Sequence, residues 1–370
     1  MCNIHYRVST LRLRVLTKRK VGGIVMIGDR RSAILEMIID YYIKTGEPLG
    51  SNTLCSMLPY SISSATIRNE MAFLTGMGLL EQRHTSGGRV PTKNGYRYYV
   101  ENIVKPNELT PYEKQQINEY LSVNASDPDR LLADASRLLS DITGCASFYS
   151  TVKDPLDCVQ GVELIPAGNS RAMLVMLSVG GKIKSSVCRL NCPIDSEFKK
   201  AFYEITNLFF VGVPLGDINL SLIQSTAPML GERVFDMLPI LASLCSLCQE
   251  AGEGTLTVTG ETKLLSQTEL GQDVYKLLVL LAKKDKLEGL INDFIKMNSD
   301  TVLYIGDENP VYELKSTATA AARFTYNDIQ TAALGIIGSL RIDYKTILPR
   351  VDYVFKTVAT LLKEGGFRYE

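Results

Sequence analysis

Ser63-Ser64-Ala65-Thr66-Ile67-Arg68-Asn69-Glu70-Met71-Ala72-Phe73-Leu74-Thr75 decides how the amino-terminal part of this chain is read. Ser63 or Ser64 supplies an N-cap, and Ile67, Met71 and Leu74 follow at helical spacing on one side. The opposite side carries Ala65, Thr66, Arg68, Asn69 and Ala72. A merely solvated helix would more often show Glu and Lys there. Small residues let a helix backbone approach a groove floor, while Arg pairs with guanine edges and Asn with adenine edges. The stretch reads as a recognition helix.

Working outward, residues 29–44 place Ile34, Leu35, Ile38, Ile39 and Tyr42 on one helical face, and Asp29 is its expected N-cap. Thr45-Gly46-Glu47-Pro48 ends that helix. Gly50-Ser51 opens a short second helix with Leu54, Cys55 and Leu58 facing inward, stopped by Pro59. Helix, turn and recognition helix form a helix-turn-helix pattern. After Gly76 and Gly78, a strand at 79–82 leads to the hairpin tip Arg83-His84-Thr85-Ser86-Gly87-Gly88-Arg89, with Val90 on the return. The tip is acid-free, as suits a wing against phosphates or a minor groove. Residues 61–100 hold five Lys/Arg and two Glu, so positive charge sits where DNA would lie.

Thr66, Arg68 and Asn69 are the expected readers of base edges. Ser64, Thr85 and Ser86 suit phosphates, and Arg83, His84 and Arg89 suit wing contacts. Tyr96 and Arg97 are lesser candidates for the DNA backbone. A three-helix unit with a hairpin can also serve protein–protein interaction, which would leave the acid-free tip unexplained.

The remaining composition narrows the function classes. The chain has 370 residues with 40 basic and 40 acidic side chains, so any polyanion-binding surface is local. Residues 1–25 contain six Lys/Arg and no acid, leaving the rest of the chain net acidic. They read as an over-long start before Met26, with a basic DNA-touching arm or a targeting peptide as alternatives. The most apolar stretches fall short of the roughly 18–20 residues of a membrane span. Eight cysteines without a cleavable signal point to a reducing, cytoplasmic compartment. His5 and His84 are the only histidines, which thins out His-based chemistry. No P-loop, dinucleotide turn or nucleophile elbow is present, so an enzyme has no residues to stand on and no cofactor is expected. Cys188, Cys192, Cys245 and Cys248 form CxxxC and CxxC pairs. Zinc or redox chemistry is conceivable there, but Cys245 and Cys248 lie in an apolar helical run and read as buried thiols.

Three segments resemble the family of the heat-inducible transcription repressor HrcA. They are Tyr42-Ile43-Lys44-Thr45-Gly46-Glu47-Pro48-Leu49-Gly50-Ser51, Ser63 to Met71, and His84-Thr85-Ser86-Gly87-Gly88-Arg89-Val90-Pro91-Thr92 with Gly95-Tyr96-Arg97. Ile305-Gly306-Asp307-Glu308-Asn309, and Gly335-Ile336-Ile337-Gly338 with Arg341-Ile342-Asp343-Tyr344, are similar to the family's best-marked later segments. The likeness covers about residues 26–365. Ser339-Leu340 departs from it, since the family usually has Pro just after Gly-Ile-Ile-Gly. The resemblance implies an α+β chain: an amino-terminal winged helix-turn-helix, then a GAF-like α/β sheet domain interrupted by an inserted, mostly helical dimerisation domain. It also implies a homodimer that represses chaperone operons at an inverted-repeat operator in double-stranded DNA, with activity sustained by the chaperonin.

The expected organisation is a winged helix at 26–104, a linker at 105–111, a GAF-like domain at 112–191 and 271–370, and an insert at 192–270. Helical patterns are expected at 112–123 and 128–143. Strands at 159–165, 173–178 and 183–190 are expected at the centre of an antiparallel sheet that resumes at about 301–337, before a last helix at 345–363. A GAF-like domain raises a second possibility, a regulator controlled by a small ligand. Gly306-Asp307-Glu308-Asn309 could hold a cation, but reads first as a turn with self-satisfying Asp and Asn side chains.

Overall fold

The computed structural model describes residues 27–58, 61–82, 88–151, 155–168, 170–295, 300–326 and 330–364. The basic first 25 residues therefore lie outside the described part. The chain opens with α1 (Asp29–Thr45), α2 (Ser51–Met57), α3 (Ser64–Gly76), β1 (Leu80–Glu81), β2 (Val90–Pro91) and α4 (Lys93–Asn102). α5 (Pro111–Ser122), α6 (Pro128–Thr143) and β3 (Ala146–Thr151) follow. Next come β4 (Val159–Pro166), β5 (Arg171–Ser178), β6 (Ile183–Arg189), α7 (Ser196–Phe209), α8 (Leu220–Leu230) and α9 (Val234–Gly252). The last part holds β7 (Leu256–Thr259), α10 (Asp273–Ala282), α11 (Lys284–Ile295), β8 (Thr301–Ile305), β9 (Thr317–Tyr326), β10 (Gln330–Ser339) and α12 (Tyr344–Glu364).

These elements fall into two compact units. The first joins the winged helix to a five-stranded sheet and its helices; the second is essentially Thr151–Thr255. In the winged helix, Ile34, Leu35, Ile38 and Ile39 of α1 are fully buried, as their spacing predicts. Gly46 takes φ 75° and donates its N–H to the Tyr42 carbonyl, ending α1 in a left-handed cap. The segment 105–111 is docked, with the Asn107 N–H on the Lys345 carbonyl. Thr110 then closes a reciprocal capping box with Glu113 ahead of α5.

The five-stranded sheet has the order β7-β3-β10-β9-β8. On one face Ala146, Phe148, Val302, Ala321 and Ile337 pack with Leu277, Leu281, Leu287 and Ile291 of α10 and α11. On the other, Phe324 meets Phe355 of α12 edge-on at 6.2 Å, and Ser136 of α6 donates to Ser147 of β3 at 3.2 Å. Gly335 sits where no side chain fits, because a Cβ would collide with the Phe148 ring and the Ala320 carbonyl.

Two expectations are corrected here. The strands near 159–190 do not form the centre of this sheet. They pair with one another in the order β4-β5-β6 and belong to the second unit. Alternation reports that one face is buried, not which sheet a strand joins, and consecutive strands pair locally through tight turns. The apolar stretches also do not all fall short of membrane length. By length and composition α9 is long and apolar enough to span a bilayer. In the structure it packs as a core helix: Met237, Ile240, Leu241, Leu244, Cys245 and Cys248 are buried together with Leu174 and Met176 of β5.

Burial places Cys245 and Cys248 in the core of the second unit and raises both thiols, Cys248 to about 12. The opposite face of the β4-β5-β6 sheet exposes several apolar side chains that no other described residue covers. Register places Ile165, Met173 and Val187 in one row and Leu177 and Ile183 in another. Ile165, Ile183 and Val187 are 47%, 67% and 69% exposed.

Candidate nucleic-acid interface

Ser63 caps α3, its hydroxyl accepting from the Thr66 N–H at 3.1 Å. Ile67, Met71 and Leu74 are buried, and Ala65, Arg68, Asn69 and Ala72 are exposed. Ser64 and Thr66 are half-buried beside the cap. The Thr66 hydroxyl lies 2.9 Å from that of Ser63. Arg68 donates from Nε to the hydroxyl of Ser51, at the start of α2, at 3.1 Å. That contact orients the Arg68 stem and leaves the guanidinium edge at the surface. The outer face of α3 thus carries one guanidinium and one carboxamide between two alanines.

The back of α3 is fixed by a buried acid that the sequence reading passed over. Glu70 is 6% exposed. It accepts from Arg30 at 2.5 Å and from Arg31 at 2.6 Å, both in the first turn of α1. The hydrogen bond from Arg31 does most to hold its carboxyl below the ordinary carboxylate value. The Arg31 guanidinium also lies 3.6 Å above the ring centre of Phe73. Glu70 is about forty positions from its partners, so no local pattern announces the contact.

The wing base is formed by Leu80 opposite Pro91 and Glu81 opposite Val90. Arg89 exchanges backbone hydrogen bonds with Leu49, and its Nε donates to the Thr75 hydroxyl at 3.2 Å, tying the wing to the end of α3. The tip candidates Arg83, His84, Thr85 and Ser86 lie outside the described residues.

Tyr96 and Arg97 are buried within the first unit, which goes against the expectation of DNA-backbone contacts. Tyr96 is 2% exposed and its ring meets that of Tyr344 at a tilt, 5.7 Å between centres; Arg97 is 8% exposed. Arg97 donates from Nε to Glu308 at 2.7 Å and from Nη2 to the Leu303 carbonyl at 2.7 Å, with a second, shorter contact to Glu308. The charge that looked available to phosphate is spent inside the chain. α4 presents its inward face to the end of β8, so an Arg just after a wing need not face the nucleic acid.

The same surface gathers the other family-like segments. Lys93 pairs with Asp307 at 2.9 Å. Lys345 reaches Asp40 at 2.5 Å and Glu36 at 2.9 Å, and the Tyr99 hydroxyl donates to Asp40 at 2.6 Å. Arg341 packs so closely on Gly46 that a Cβ there would collide with its Nη1. Gly306–Glu308 forms a short 3₁₀ turn whose Asn309 amide donates to the carbonyls of Gly306, Leu314 and Thr317. The turn's two carboxylates face Lys93 and Arg97. Ser339, where a Pro is usual, uses what Pro lacks: its N–H donates to Gln267 at 2.6 Å and its hydroxyl to Glu269.

Comparison with known proteins agrees with this geometry. The family model "Winged helix-turn-helix transcription repressor, HrcA DNA-binding" matches residues 26–103. The model "HrcA protein C terminal domain" matches residues 129–348. The heat-inducible transcription repressor HrcA of Acetivibrio thermocellus is 30% identical over 332 residues, covering 89% of this chain and 95% of that protein. The HrcA of a Clostridium botulinum strain is 31% identical over 340 residues, covering 91% and 98%. A crystal structure described only as a hypothetical protein superposes with a TM-score of 0.73 at 22% identity, covering 92% of this chain and 100% of that one. With a winged helix whose recognition face is open and two family models spanning most of its length, the chain belongs to the HrcA family of heat-inducible transcription repressors.

Proposed function

We propose that the protein represses chaperone operons in the cytoplasm as a homodimer, each copy laying α3 in the major groove of one half of an inverted repeat. The observation that carries this reading is the outer face of α3. Arg68 and Asn69 stand exposed between Ala65 and Ala72 while Glu70 locks the opposite side. Thr66, Arg68 and Asn69 read base edges, and Ser64 and the wing residues Arg83, His84, Thr85, Ser86 and Arg89 contact the backbone or minor groove.

Support for the dimer comes from the uncovered apolar face of the β4-β5-β6 sheet, which a second copy would remove from water. A dimer of this kind requires half-sites separated by whole helical turns, about 10–10.5 bp each. Maintenance by the chaperonin, and the GAF-like character of the five-stranded unit, rest on the family likeness.

The test is operator binding by the full chain at two salt concentrations, with and without chaperonin. Repeat-dependent binding that halves of the repeat cannot reproduce, and that chaperonin strengthens, is the expected result. Binding that ignores sequence and collapses with salt would reduce the reading to phosphate contact.

A further inference from the structure

The five-stranded unit contains a cavity between α11 and the sheet face, with about 100 Å³ of room and an open mouth. Phe148, Ile291, Phe294, Val302, Ala321 and Ile337 give it an almost wholly apolar wall. Asn309 also lines it. This side chain is 4% exposed, and its Oδ1 has no hydrogen-bond partner among the described residues. The amide cannot turn to relieve that oxygen, because Nδ2 is held by the carbonyls of Gly306, Leu314 and Thr317 at 2.9, 2.9 and 3.1 Å. A buried acceptor left unmade is destabilising, and a donor brought by a ligand removes the defect. Asp293 is exposed and also belongs to the lining, so the rim disfavours an anion.

We propose that this cavity is a binding site for a small neutral molecule with a compact aromatic body and a single O–H or N–H donor, which Asn309 Oδ1 accepts. The room is somewhat less than the roughly 150 Å³ of an apolar cavity that holds benzene, so a single ring fills it and reaches into the open mouth. Larger substituents would extend through the mouth. The site is independent of DNA binding, so it stands or falls apart from the repressor reading. Asn309 nevertheless directly follows Glu308, which holds Arg97 of α4.

Phenol and toluene are the probes, nearly equal in size and differing in the donor. The full chain is titrated with each by calorimetry and melted in their presence. Phenol at about 100 times its dissociation constant is expected to raise the folded-to-unfolded ratio about 100-fold, moving the melting temperature up by several degrees. Toluene is expected to bind about tenfold more weakly for want of the hydrogen bond. Ala321→Leu and, separately, Leu290→Phe fill the cavity from the sheet and from α11. Either folded variant is expected to lose the response. The proposal is overturned if phenol causes no shift, if toluene binds as well as phenol, or if a cavity-filled variant that still melts cooperatively responds like the parent.

Discussion

The contact between Arg97 and Glu308 makes a quantitative test of how the winged helix is held. The Arg97 side chain is 10% exposed and that of Glu308 36%. Removing one partner of a fully buried pair costs about 3–5 kcal/mol, because the other charge is left without compensation. Here the two removals are unequal. Glu308→Ala leaves the buried guanidinium with the Leu303 carbonyl and a long contact to Glu101 at 3.9 Å, and also frees the Ile305 N–H, which donates to Glu308 at 2.8 Å. Discounting for the solvent that already reaches Glu308, it should cost about 2–3 kcal/mol. Arg97→Met keeps much of the stem's packing and leaves a carboxylate that water can reach, so it should cost only about 1–2 kcal/mol. In the double variant the orphaned charge is gone, and the cycle should return a coupling of about 1–2 kcal/mol. The chain has no Trp, so urea unfolding is followed by far-ultraviolet circular dichroism. Operator binding supplies the second reading. Arg97→Met should leave the salt dependence unchanged, whereas a phosphate-contacting Arg would lower the slope by about 0.9. Additive single costs, or a shallower salt slope for Arg97→Met, would refute the inward assignment.

Glu70 offers a pH test. Its carboxyl is lowered from the ordinary 4.5, chiefly by Arg31, so its contribution is fully present above that value and fades as pH falls through the lower folded value. Glu70→Gln should cost about 1–2 kcal/mol at neutral pH and flatten the stability profile in that acid window, as acid titration of the melting temperature would show. Ser339→Pro restores the residue usual in the family but removes the N–H that Gln267 accepts, and should lower stability by about 1–3 kcal/mol on urea unfolding. Native thiol labelling at about pH 8, read by mass spectrometry, should spare Cys145 and Cys248, whose thiols burial pushes to about 11 and about 12, while Cys55 and Cys192 react.

Much of the winged helix was legible because its information is local. The apolar spacing of α1 and α3, the Ser63 cap, and the Gly46 stop act within a few residues, and the structure follows them. The core status of Cys245 and Cys248 was legible for the same reason, from the apolar run around them. What escaped depends on distant partners. Glu70 looks like an ordinary helix-surface acid until Arg30 and Arg31 arrive from α1. Arg97 looks like a phosphate contact until β8 and Glu308 arrive from more than two hundred residues away. The assignment of β4–β6 to their own sheet escaped likewise, since alternation fixes which face is buried but carries no address for the neighbouring strand.

The chemistry of this internal surface bears on how a repressor of this family can respond to stress. The amino-terminal winged helix meets the sheet-bearing part largely through charged and hydrogen-bonded pairs: Arg97 with Glu308, Lys93 with Asp307, Lys345 with Asp40 and Glu36. One buried aromatic pair, Tyr96 against Tyr344, lies among them. An apolar seam of the same extent would hold the winged helix through hydrophobic burial and release it only at the expense of exposing that area. Polar pairs exchange protein partners for water with a small net change, except where burial strands a charge. Arg97 is that exception, so the surface has many replaceable contacts and one that is not. Opening it therefore requires Arg97 to leave Glu308 and reach solvent, and the Gly306–Asn309 turn that carries Glu308 is also a wall of the apolar cavity. Any event that moves this turn acts on the most deeply buried of the charged contacts that hold α4.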